Sequence, residues 1–161
     1  GLARFKGVKR RFTKVGEVGG AAIIDDYAHN PFKIAAAVKA ARQAYKGPIV
    51  AVVQPHRYTR LRDTFEQFAT CLNDADVAVI APVYAAGEAP IAGINRDSYA
   101  EALRAHGHRN VITIEGEEDL AAAVAPYVKP GAAIVGTGAG SITGWMHNLP
   151  QKLAKKLEGP V

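Results

Sequence analysis

With 161 residues, 48% of them apolar, the chain has material for one domain with a real core and little room for a second. Its single cysteine, Cys71, excludes an internal disulfide, no apolar run is long enough to cross a bilayer, and the start lacks the apolar core of a signal peptide. A net charge of +5 favours anionic partners such as nucleotides, phosphates, carboxylates or nucleic acid. A cytoplasmic domain is expected, and the start at Gly1 without Met suggests a piece of a longer protein.

The elements follow in chain order. Arg11 to Val18 mixes polar and apolar residues, Gly19-Gly20 follows, and Ala21 to Ile24 is apolar; this spacing predicts a β-hairpin. Ile34, Val38, Ala41 and Tyr45 recur near the helical period up to a stop at Gly47-Pro48. Ile49 to Val53 reads as a strand buried on both faces. Leu61, Phe65, Phe68, Ala69 and Leu72 form one further helical stripe, with Cys71 inside it as core, and Val77 to Ala81 is another buried strand. A helix over Ser98 to Ala105 takes Asp97 or Ser98 as its cap, and a strand over Val111 to Ile114 follows. A helix from Leu120 to Val128, a strand over Ala132 to Val135 and a helix broken near Pro150 complete the chain. Strands alternating with helices imply an α/β fold, a mostly parallel sheet with helices on both faces, to which the hairpin adds an antiparallel strand.

In such a sheet ligands bind beyond the carboxyl ends of the strands, and four strand exits there carry the least generic residues. The first, Asp25 to Pro31, offers two carboxylates, Tyr27 and His29. Asn30 suits the N-cap of the next helix, and Asp25 suits a structural bond at the strand exit. The second, Gln54 to Arg60, puts His56, Arg57 and Arg60 within five positions. Arginine forks grip carboxylate or phosphate; the bland alternative pairs them with surface Asp or Glu such as Asp63 or Glu66. The third runs from Pro82 to Glu88 and contains Tyr84. The fourth, Gly136 to Ser141, is glycine-rich but is neither the dinucleotide fingerprint nor a P-loop. Its glycines serve either close approach of a ligand or tight packing. His106 and His108 flank a turn without zinc-spaced partners, and Trp145, Met146 and His147 read as packing and surface positions of the last helix.

These loops, in this order, resemble the C-terminal domain of MurC-type Mur ligases. Phe5 to Phe12 resembles the family's entry to that domain. Asp25 to Pro31 resembles its D-D-Y-x-H-x-P motif, Gln54 to Arg60 its Q-P-H-R-Y-[ST]-R motif, and Val83 to Gly93 its V-Y-x-A-G-E-x-P-I-x-G segment. Gly138 and Gly140 belong to a G-A-G-x-I turn like the family's. The resemblance implies a Rossmann-like domain, residues 1–161, whose N-terminal UDP-sugar and central ATPase partners lie outside this chain. It implies ATP-dependent joining of L-alanine to UDP-N-acetylmuramate through an acyl phosphate, in peptidoglycan precursor synthesis. Asp26, with His29 and Asn30 beside it, would help hold ATP. His56, Arg57 and Arg60 would face the incoming amino acid, with Tyr27 and Tyr84 nearby. Mg2+ and ATP would act in the full-length enzyme, with none held tightly by this domain, which would contact the central domain, would not bind nucleic acid or membrane, and would be inactive alone. Asn30 and Phe32-Lys33 depart from the commoner His and Thr-Glu of the motif, which leaves open a relative that accepts a murein peptide amine. The remaining readings are a stand-alone dinucleotide module, against which the broken glycine fingerprint argues, and a nucleic-acid binder, for which no basic-aromatic motif is present.

Overall fold

The computed structural model describes residues 11–159. The entry run and the basic residues Lys6, Lys9 and Arg10 therefore lie outside the described residues, apart from Arg11 and Phe12.

Six strands form one sheet in the order β1-β2-β6-β3-β4-β5. They are β1 (Thr13–Val18), β2 (Ala21–Asp26), β3 (Ile49–Val53), β4 (Val77–Ile80), β5 (Val111–Thr113) and β6 (Ala133–Thr137). The β1–β2 hairpin is antiparallel, and every other pairing is parallel. The turn takes two positive-φ residues, Gly19 and Gly20, as a two-residue hairpin loop requires.

The strand runs are apolar throughout because both faces are covered. Along β3, Ile49, Ala51 and Val53 point to one core while Val50 and Val52 point to the other. The first core takes Ile34, Val38 and Ala41 of α1 (Pro31–Ala44), Leu61 of α2 (Tyr58–Asp63), Phe68 of α3 (Phe65–Thr70), and Tyr99 and Leu103 of α4 (Arg96–Ala105). The second takes Leu120 and Val124 of α5 (Leu120–Val124) and Ile142, Met146, Leu149 and Leu153 of α6 (Ile142–Glu158). Each buried Val, Leu, Ile, Phe or Met side chain among them contributes roughly 1.5–3 kcal/mol. Cys71 is core, as its helical stripe indicates: burial pushes its thiol up to about 11, so it stays protonated and is no nucleophile.

Several sequence expectations give way to tertiary context. The stripe from Leu61 to Leu72 is two short helices meeting at Thr64. The cap of α4 is Asn95, not Asp97 or Ser98: its side chain accepts the Ser98 N–H at 2.8 Å, and the Ser98 hydroxyl accepts the Asn95 N–H in return. The helix after β5 ends as a 3-10 turn over Ala125–Tyr127. Pro150 does not break the last helix, which runs through it to Glu158. Its ring lies against Gly16 of β1, so closely that a Cβ there would stand 2.6 Å from the ring. Packing against the sheet thus holds a helix that propensity alone would interrupt.

Candidate functional site

β2, β3, β4 and β6 end at the same edge of the sheet, so the four unusual loops share one rim. Each is anchored differently.

After β2, the Asp26 carboxylate accepts the Ala28 N–H at 2.8 Å and the Phe12 N–H at 2.9 Å, while its main-chain carbonyl accepts Gly138 N–H at 3.2 Å. Asp26 thus joins three segments and, among the described residues, meets no cation. A cleft of about 370 Å³ opens beside it, walled by Phe12, Ala36 and Ala40 and lined also by Arg11 and Lys33. Asp25 faces the opposite way, buried against α6, where the Thr143 hydroxyl lies at 3.4 Å and His147 Nε2 at 3.6 Å. The tandem aspartates therefore divide: one serves the rim cleft, the other the packing of α6. His147 is a partner of that buried carboxylate rather than a mere surface position.

After β3, His56 stands at the centre of an aromatic string. Its ring stacks on Tyr84 (centroids 5.4 Å apart, planes 12° apart) and meets His29 edge-on at 6.0 Å; His29 in turn meets Tyr27 at 5.3 Å. A parallel bridge between His56 and Tyr84 brings the second and third loops together. Burial pushes His56 below its ordinary 6.5, and neighbouring His29, Arg60 and Arg57 push the same way, so the ring is neutral at pH 7. Its Nδ1 is buried without a hydrogen-bond partner among the described residues. Arg60 donates to the His56 carbonyl at 3.3 Å. Arg57 pairs with Glu88 at 3.4 Å, whereas Asp63 pairs with Arg62 and Glu66 with His106. The bland alternative of a carboxylate partner thus holds for Arg57, but the partner is Glu88 of the third loop rather than Asp63 or Glu66.

The fourth loop owes its glycines to packing. A Cβ at Gly140 would stand 2.6 Å from the Tyr84 ring and 2.9 Å from Gln54 Oε1, and one at Gly138, where φ is +152°, would stand 2.7 Å from Ile142. Gln54 ties the turn to β3, donating to the Ser141 hydroxyl at 2.9 Å and accepting the Ile142 N–H at 3.1 Å.

The rim brings together Asp26, Tyr27, His29, His56, Arg57, Arg60 and Tyr84. Asn30 is placed beside them, but its side-chain oxygen caps α1 by accepting the Lys33 N–H at 2.9 Å. Glu88 and Gln54 are the organisers the sequence reading passed over. Both stand inside the singled-out loops, yet only the spatial approach of those loops reveals their partners. No group of three or more His, Cys, Asp or Glu among the described residues is placed to hold a metal ion.

Cations, a neutral imidazole and half-exposed tyrosines on the rim of a parallel α/β sheet define a domain suited to a small anionic or zwitterionic ligand. The family model described as Mur ligase, glutamate ligase domain matches residues 10–140, and the chain belongs to that family. It is 58% identical over 152 residues to a UDP-N-acetylmuramate–L-alanine ligase of Nitrobacter hamburgensis, covering 94% of this chain and 32% of that protein. It is 57% identical over 153 residues to one of Methylorubrum populi, covering 95% and 33%. The chain therefore spans about a third of the length of these relatives. The structure of UDP-N-acetylmuramate-alanine ligase MurC from Thermotoga maritima shares the fold at a TM-score of 0.72 and 24% identity, over 91% of this chain and 30% of that one.

Proposed function

We propose that this chain is the C-terminal domain of a UDP-N-acetylmuramate–L-alanine ligase, and that its rim presents the incoming amino acid to an acyl phosphate made from ATP. The observation that carries this reading is the 58% identity, over 94% of the chain, to a relative of that name. In the reading, Arg57 and Arg60 grip the carboxylate of alanine, and Tyr27 and Tyr84 wall the place it occupies. Neutral His56 meets the amine as a hydrogen-bond partner. Asp26, beside the cleft that Arg11 and Lys33 line, faces the nucleotide, with His29 nearby. The amine attacks the muramyl acyl phosphate, the amide C–N bond forms, and phosphate leaves. Fixing both reactants supplies most of the acceleration, and the arginines offset charge that develops as phosphate departs. Mg2+, most of the ATP site and the UDP-sugar site belong to parts of the enzyme beyond this chain, which works in the cytoplasm against its central domain.

The test is phosphate release. The full-length protein, given ATP, UDP-N-acetylmuramate and L-alanine, should release phosphate in step with amide formation, and the 161-residue chain alone should release none. Turnover with a murein peptide amine but not with alanine would overturn the alanine assignment, and turnover by the short chain would overturn the domain assignment.

A further inference from the structure

We propose that Glu88 is a positioning residue that aims Arg57 at the carboxylate of the incoming amino acid, an inference that rests on the reading above. Glu88 and Arg57 belong to different loops, and the Glu88 carboxylate binds the second loop at three points. Its Oε2 accepts the Thr59 hydroxyl at 2.5 Å and lies 3.4 Å from Arg57 Nη1; its Oε1 accepts the Thr59 N–H at 3.1 Å. A tight turn sets it there, closed by Glu88 N–H donating to Ala85 at 3.0 Å, with Ala86 and Gly87 at positive φ.

The two partners are unequal. The Glu88 side chain is 17% exposed and Arg57 is 46% exposed, so the carboxylate is the fixed post and the guanidinium the end that reaches outward. A guanidinium carries five N–H donors, and this contact engages it at one nitrogen, at a separation longer than a tight charged hydrogen bond. Among the described residues no other partner takes its remaining donors, which can meet a ligand while the direction of the fork is set. An ion pair this exposed adds little to stability, so stability alone does not account for it. Its geometric effect is larger: the same carboxylate that orients Arg57 also fixes Thr59, in the first turn of α2, from which Arg60 extends beside His56.

The experiment uses the full-length ligase with Glu88→Gln, which keeps size and an acceptor for Thr59 but loses the charge that holds Arg57. Loss of aim should raise KM for L-alanine roughly tenfold, leave KM for ATP unchanged and change kcat by less than about twofold. In an Arg57→Ala background the same substitution should cost far less than tenfold, only what the weakened Thr59 contact costs, because there is no guanidinium left to aim. An unchanged KM for alanine would overturn the proposal, as would an equal loss with and without Arg57, the mark of a purely structural role. Melting curves check folding, and should Glu88→Gln not fold, Glu88→Asp, which keeps the charge but draws it back from Arg57, carries the same prediction through displacement of the post. A wild-type enzyme that does not use alanine would overturn the functional reading itself; an active wild type indifferent to Glu88→Gln would overturn this inference alone.

Discussion

The two edges of the parallel sheet treat charge in opposite ways. At the amino-terminal edge, Asp76 accepts the Ile49 N–H at 2.8 Å and Arg42 at 2.7 Å, while Arg42 also reaches the Asp74 carbonyl. Gly47 N–H donates to Gly131 and Gly131 N–H to Gly20, lacing three turns together. At the carboxyl-terminal edge, Asp26 holds backbone amides but, among the described residues, meets no cation, Arg60 holds only a carbonyl, and two tyrosines stand about 40% exposed. A pair closed tightly, such as Asp76 with Arg42 at 2.7 Å, serves the fold. Asp26 and Arg60, anchored by neutral backbone groups, and Arg57, met by Glu88 at one nitrogen and 3.4 Å, keep their field for something that arrives.

Substitutions can break this contrast. On the proposed function, the largest effect is expected from Arg57→Ala, which should lower kcat/KM for alanine in the full-length protein by about 10²-fold or more while leaving the melting temperature nearly unchanged. A large fall in melting temperature would mean that the rim, too, serves the fold. Next comes Asp76→Ala at the other edge. It deprives the partly buried Ile49 N–H of an acceptor and should cost about 1–3 kcal/mol in chemical denaturation, with kinetic constants intact. The pH dependence sharpens this case. Burial alone would raise the Asp76 carboxyl, but the Ile49 N–H and Arg42 outweigh it and hold the group below its ordinary 3.8. Its stabilisation is therefore full above that value and is lost as pH falls through the lower folded value. The stability gap between wild type and Asp76→Asn should narrow over that acid window; a constant gap would remove the charge from the explanation. The smallest effect concerns His56, held below 6.5 by burial first. As pH drops below 6.5 the unfolded chain binds a proton that the folded ring resists, so wild type loses stability there. His56→Gln should flatten that slope in melting curves taken across mildly acid pH, and an unchanged slope would place the titration elsewhere.

Much of this arrangement was legible in the chain because local rules agree with the global fold. Ile49 to Val53 and Val77 to Ile80 are continuous apolar runs, as doubly covered parallel strands require, and their exits carry His56, Arg57 and Tyr84. Asn30 before Pro31 announced the start of α1, and the structure gives it that duty. The failures lie where a distant partner decides. Pro150 stays helical because Gly16 lies beneath its ring, and nothing near residue 150 foretells a glycine in the first strand. Thr64 divides one apolar stripe into two helices without a glycine or proline to mark the division. Asn95 escaped notice because its reciprocal partner is Ser98 rather than the Glu or Gln of the commoner pattern. Glu88 escaped because its partners, Arg57 and Thr59, lie across a fold that only the pairing of β3 with β4 creates.

The place of β6 has a consequence for biosynthesis. This strand, the last of the six to leave the ribosome, lies between β2 and β3, the two whose ends present Asp26 and His56. Until it is translated, those earlier strands have no shared neighbour and their edges remain open. Nascent chains stalled before Ala133 should therefore be protease-sensitive and chaperone-dependent, and truncation from the carboxyl end should disperse the rim before it removes any of the charged or aromatic residues gathered there.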